Sequence, residues 1–133
     1  MLWDNEYPFC RFENDISYKE MYVIEDETRI IGSFALNNYD NPDYHSIQWT
    51  SKNKKWLYLS RLAILPSEQG KGYAKQTIKF IEMNNNYEVI RLTVYEDNEN
   101  AIGLYEKLGF SKIENGYWQL EDKIYNGYEK YIN

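Results

Sequence analysis

The chain has 133 residues, 43% of them hydrophobic, which suits one compact domain spanning residues 1–133 and leaves no length for a second. Fifteen Lys and Arg stand against 21 Asp and Glu, a net charge of −6 with the basic residues scattered, so a phosphate backbone would be repelled and nucleic acid is excluded as an expected partner. The single Cys10 cannot close an internal disulfide, Met1-Leu2-Trp3-Asp4 lacks the basic-then-apolar pattern of a secretory signal, and apolar runs such as Leu62–Leu65 fall far short of the ~20 residues that span a bilayer. A soluble protein of the reducing cytoplasm is expected.

Fourteen Tyr and four Trp favour sheet surfaces. In chain order, Glu13 to Glu20 reads as a short helix with a weak stripe at Phe12, Ile16 and Tyr18. Met21–Ile24 and Arg29–Leu36 read as a hairpin around the polar turn Glu25–Thr28. Tyr44 to Trp49 is ambiguous between an irregular strand and a loop. Lys55 to Leu65 alternates and then turns continuously apolar, which predicts a strand buried on both faces at its far end and ended by Pro66.

From Gly72 to Met83 the apolar residues Ala74, Ile78 and Ile81 recur at helical spacing. Tyr87 to Tyr95 is a strand rich in β-branched residues, completing a strand–helix–strand unit whose strands must run parallel. Ala101, Leu104, Tyr105 and Leu108 mark a second helix, capped by Asn98 and ended by Gly109. Phe110–Ile113 with Tyr117–Leu120, and Ile124–Tyr131, are the last strands. The order β-β-β-α-β-α-β-β describes an α/β chain with a mixed, mostly antiparallel sheet and helices packed on its faces.

The stretch from Leu62 to Ala74 is the most informative, because an apolar strand turns through Gly70 and Gly72 directly into a helix. Glycines admit a ligand close to the backbone, and the free N–H groups and dipole of the helix start favour an anion such as a pyrophosphate. A tight connection that binds nothing is the competing reading. Known nucleotide loops do not fit: Lys71 lies between the glycines with no Ser or Thr after it, and Lys75 stands where a dinucleotide fingerprint needs a third glycine.

Gln69-x-x-Gly72-x-Ala74 resembles the Gln/Arg-x-x-Gly-x-Gly/Ala signature of the GNAT superfamily of acetyl-CoA-dependent N-acetyltransferases. Asn98-Glu99-Asn100-Ala101-Ile102-Gly103-Leu104-Tyr105-Glu106-Lys107-Leu108-Gly109-Phe110 is similar to a second block of that family, in the right order and at the right separation. The resemblance extends loosely from Trp3 to the C-terminus.

It implies a central parallel strand pair that splays apart to admit the pantetheine arm of acetyl-CoA along Leu62, Ala63 and Ile64. It also implies a pyrophosphate held by main-chain N–H groups of Gln69, Gly70, Lys71, Gly72, Tyr73 and Ala74, and Asn98 near the pantetheine. No metal is implied. The family reaction is attack of a neutral amine on the acetyl thioester, with Tyr105 in the position of the acid that protonates the departing thiolate, and a main-chain N–H near Leu62 or Ala63 facing the oxyanion. Tyr105 also reads as a core residue on an apolar helix face.

Tyr58 and Ser60 occupy positions where several family members carry a base. Glu25, Glu68, His45 and a water chain are the remaining candidates for it, with His45 also reading as a surface-loop residue and Glu25–Glu27 as a solvated turn. The acceptor is an amine of a small molecule or a protein; a non-catalytic acyl-CoA-binding module and a small interaction domain are the rivals. The family's usual first strand and helix have no room before Trp3–Ile16. The hairpin Met21–Leu36 therefore needs cover for its outer edge, from a second copy in a homodimer, from Met1–Phe12 folding back, or from residues of the native protein outside this sequence, with the dimer favoured over the fold-back because Pro8 cannot donate to a ladder.

Overall fold

A computed structural model describes residues 11–13, 19–83 and 86–132. The chain forms two compact units, one made of residues 1–38 and 59–85 and the other of residues 39–58 and 86–133. No helix among the described residues is long and apolar enough to cross a membrane.

In the first unit, β1 (Arg11–Glu13), β2 (Lys19–Glu25) and β3 (Ile30–Asn37) are neighbours in that order, followed by the C-terminal part of β4 (Trp56–Ile64). Both β1 and β3 run antiparallel to β2. The turn between β2 and β3 is closed by Asp26, whose Oδ1 accepts the N–H groups of Thr28 at 2.9 Å and Arg29 at 3.1 Å. These bonds, that from Thr28 foremost, hold the Asp26 carboxyl below the usual carboxylate range. The expected polar turn at Glu25–Thr28 is therefore a built Asx turn.

At Gly32 the backbones of β3 and β4 approach so closely that a Cβ would lie 2.5 Å from the carbonyl oxygen of Ala63. Helix α1 (Tyr73–Met83) buries Thr77, Ile78 and Ile81, one stripe at helical spacing, as the sequence predicts.

The second unit contains the start of β4, then β5 (Val89–Tyr95), α2 (Glu99–Lys107), β6 (Ser111–Leu120) and β7 (Lys123–Tyr131). Trp56, Leu57 and Tyr58 pair in parallel with Val89, Ile90 and Arg91. β7 lies between β5 and β6 and is antiparallel to both. A mixed, mostly antiparallel α/β arrangement around one parallel pair is what the sequence leads one to expect.

Four expectations change. The helix over Glu13 to Glu20 is bounded by strand at both ends, since Glu13 closes β1 and Lys19 opens β2; residues 14–18 lie outside the described residues. β1 pairs with β2 from Glu20 to Tyr22, so the outer edge of the hairpin has cover from its own chain there, and the reason for preferring a second copy is removed at those residues. Cys10 and Pro8 lie outside the described residues.

Tyr44 to Trp49, left open between strand and loop by the sequence, is loop. Pro42 starts a short 3₁₀ turn, Pro42–Tyr44, capped by Asn41, and the loop beyond it buries Ile47 and Trp49 against Tyr58 and Ile113. The last two strand segments before β7 are one strand, β6, with a register shift between Lys112 and Tyr117. Gly116 sits in that shift at φ +93°, and a Cβ there would fall 1.9 Å from the carbonyl oxygen of Ser46. Gly116→Ala therefore combines left-handed strain with a backbone clash. It is expected to destabilise by at least ~2 kcal/mol, read from the midpoint shift in urea unfolding.

The fourth change concerns β4. Its buried part is Leu57–Leu59, whereas Arg61 and Ala63 are exposed and Leu62 and Ile64 half-buried, the reverse of the expected burial at the far end. Leu65, just beyond, is 42% exposed. Continuous apolar character reported a surface that stays open, which periodicity alone cannot distinguish from core.

Candidate functional site

The end of β4 and the loop after it form one continuous site-building stretch. Arg61 has φ +57°, a left-handed conformation rare for a residue with a Cβ and found inside a strand. It departs from extended geometry immediately before Leu62, Ala63 and Ile64.

Pro66–Glu68 then makes a 3₁₀ turn, and the Gln69 side chain donates from Nε2 to the carbonyl oxygen of Ile64 at 2.9 Å. Gly70 and Gly72 follow at φ +81° and +89°. A Cβ on either glycine would meet nothing within 4 Å, so their role is conformational in the protein alone, and the space over them is open.

Among the described residues, no acceptor takes the main-chain N–H groups of Gly70 to Lys75; Gln76 is the first to bond back, onto the carbonyl of Gly72 at 3.0 Å. A run of free donors at the start of the eleven-residue α1 has the geometry that suits an anion. The residues fit a pyrophosphate: open space over two left-handed glycines, donors without partners, and a favourable dipole. The exposed apolar end of β4 beside this loop fits an uncharged arm bearing amides.

Asn98 and Tyr105 belong to the second unit. The Asn98 side chain caps α2, its Oδ1 accepting from Ala101 N–H at 3.1 Å, so its carbonyl is committed to the helix and its amide NH₂ is the group left for a ligand. Tyr105, on the helix that Asn98 starts, is half-buried, with its ring edge-on to Phe110 at 5.5 Å and 73°. Burial pushes its phenol up to about 12, so it stays protonated throughout the neutral range.

The candidate bases fare unequally. Glu68 is only 5% exposed and is fully engaged, its carboxylate taking Arg29 Nη2 at 2.5 Å and Lys71 Nζ at 3.3 Å. Buried, with both oxygens engaged, Glu68 is dropped from the role of base. His45 is exposed in the loop and bonds Asp40 at 2.9 Å, as a surface histidine does. Tyr58 is buried, its hydroxyl 2.6 Å from Thr93 Oγ1 and its pKa pushed far up by burial, so it offers no base either. No group of three or more His, Cys, Asp and Glu among the described residues could hold a metal.

Sequence reasoning missed three features. The conformation of Arg61 has no signature in the sequence. The bridge from Glu68 to Arg29 joins residues far apart in the chain. Arg91 did leave a signal, since a charge within Val89–Tyr95 implies a buried partner, here Glu129 at 3.6 Å.

The profile of the acetyltransferase (GNAT) family matches residues 2–110. Over 109 residues the chain is 40% identical to the SPbeta prophage-derived uncharacterized N-acetyltransferase YokL of Bacillus subtilis (strain 168), an alignment spanning 78% of this chain and 60% of that relative's length. The fold is similar to that of an acetyltransferase of the GNAT family from Streptococcus agalactiae 2603, with TM-score 0.73, 21% identity, and 85% of this chain against 65% of the other. It is also similar to spermidine N-acetyltransferase from Vibrio cholerae in complex with CoA and spermine, with TM-score 0.61, 22% identity, and coverage of 86% and 66%.

Proposed function

Since the chain belongs to the acetyltransferase (GNAT) family, we propose that it transfers the acetyl group of acetyl-CoA to a primary amine of a small molecule or a peptide, by direct attack of the amine on the thioester. The observation that carries this reading is the run of free backbone donors at Gly70–Lys75 joined to an exposed apolar strand end. Leu62, Ala63 and Ile64 offer their main chain to the pantetheine arm, Gly70 to Ala74 offer theirs to the pyrophosphate while the expected donor at Gln69 is taken by the carbonyl of Pro66 at 3.3 Å, and the Asn98 amide donates to the arm.

Acetyl-CoA supplies an acyl carbon bonded to a good leaving group. As the C–N bond forms and the C–S bond breaks, the amine proton passes to solvent and Tyr105 presents its phenolic proton to the departing sulfur. The strand departs from extended geometry at the left-handed Arg61, and a main-chain N–H at Leu62 or Ala63 can face the developing oxyanion. A neutral amine is needed, and a cytoplasmic setting near neutral pH is the proposed one.

Titration calorimetry with CoA and a thiol-release assay with acetyl-CoA and a panel of amines test the reading. CoA at 100 times its Kd should add ~2.7 kcal/mol of stability. Gly72→Val should abolish that gain, because a branched side chain both strains φ +89° and fills the space over the loop. Equal CoA affinity in this variant would remove the pyrophosphate assignment, and binding without thiol release for any amine would leave a non-catalytic acyl-CoA module.

A further inference from the structure

Glu68 lies immediately before the glycine loop, yet it is nearly inaccessible, at 5% exposure. A buried carboxylate is costly unless paired, and this one is paired in two directions. Its Oε2 accepts from Arg29 Nη2 at 2.5 Å and from Ser67 Oγ at 3.3 Å, and its Oε1 accepts from Lys71 Nζ at 3.3 Å. Arg29 is itself held by the β2–β3 turn, where Asp26 accepts its N–H at 3.1 Å and lies 3.7 Å from its Nε.

Lys71 is flanked by Gly70 and Gly72, neither of which would carry a Cβ into contact with anything. The loop thus has two conformationally free residues and little packing. Its side-chain moorings among the described residues are Gln69 on Ile64 and Lys71 on Glu68.

We infer that Glu68 is a positioning residue for the pyrophosphate loop, anchoring Lys71 to the Asp26–Arg29 turn so that the free N–H groups converge before the ligand arrives. This rests on the functional reading above. Pre-ordering a loop lowers the entropy lost on binding, so releasing the anchor weakens affinity although no contact to ligand is removed. Charge decides between this and the opposite role. Were Lys71 a phosphate ligand restrained by Glu68, neutralising Glu68 would free a cation and tighten binding.

The test is calorimetry with CoA on the parent, Glu68→Gln, Lys71→Met, Lys71→Arg and the pair Glu68→Gln/Lys71→Met, with circular dichroism confirming the fold. Glu68→Gln and Lys71→Met should each weaken CoA binding about five- to tenfold, the pair no more than either alone, and Lys71→Arg less than about twofold. Lys71 is exposed, so Lys71→Met reports even if Glu68→Gln does not fold. Unchanged or tighter binding in Glu68→Gln, or unchanged binding in Lys71→Met, overturns the anchor while parent binding keeps the functional reading intact. Absence of CoA binding by the parent overturns both.

Discussion

Tyr105→Phe is expected to lower kcat by about 10²- to 10⁴-fold and leave CoA affinity within about twofold, the size of effect that follows loss of a general acid without loss of packing. Phe retains the edge-on contact with Phe110 and removes only the hydroxyl. The pH profile carries a second check. Burial lifts the phenol to about 12, so the acid stays loaded as pH rises through the range where the amine loses its proton. Activity should therefore climb with pH and show no alkaline fall below about pH 10, whereas an unshifted phenol would begin to empty there. A kcat for Tyr105→Phe within threefold of the parent, measured where chemistry limits the rate, would return Tyr105 to a purely packing role.

Glu129→Ala is expected to cost about 3–5 kcal/mol in urea unfolding, the largest stability effect among these variants. Glu129 and Arg91 face each other across β5 and β7, with exposures of 4% and 6%. The carboxylate lies 3.6 Å from Arg91 Nε and accepts the N–H groups of Thr50 at 3.2 Å and Ser51 at 3.1 Å as well as both hydroxyls. The guanidinium carbon lies 4.8 Å from the ring centre of Trp49 and 4.5 Å from that of Trp56.

Burial pulls the Arg91 pKa down and the Glu129 charge pushes it back, so removing the carboxylate strands a cation between two indoles. Arg91→Met with Glu129→Gln should cost less than the sum of the single changes, because no charge is then left unpaired. A loss below about 1 kcal/mol in Glu129→Ala would show that the pair adds little beyond what Thr50 and Ser51 regain from water.

The sequence made α1, β5 and β7 legible, because each buries a stripe or run that periodicity reports; α2 was legible from its Asn98 cap and Gly109, although none of its residues is fully buried. The glycine loop was legible for a different reason, since a strand followed by Gly70 and Gly72 permits few geometries. The opposite burial along β4 was not legible. Leu62–Leu65 has the composition of a core strand, yet that end is half-buried to exposed after the left-handed Arg61. Tyr44–Trp49 stayed open between strand and loop in the sequence, because Ile47 and Trp49 are buried from a loop, with Gln48 N–H bonding Asn115 O at 2.9 Å in place of a ladder. The Arg29–Glu68 bridge joins an exposed arginine to a glutamate whose burial depends on which turn meets which loop.

The position of β7 has a consequence for how the second unit comes to exist. It is made after β5 and β6 but lies between them, pairing with β5 from Val89↔Tyr131 to Tyr95↔Tyr125. During synthesis, Val89–Val94 therefore waits with one side of its ladder open, and β6 waits with no strand partner. Arg91 and the Thr50–Ser51 loop wait for Glu129 in the same interval. Neither unit is continuous in the chain, so neither can close domain by domain as the nascent chain lengthens. Folding of this unit waits for β7, and its exposure to strand-edge association lasts until that strand is in place.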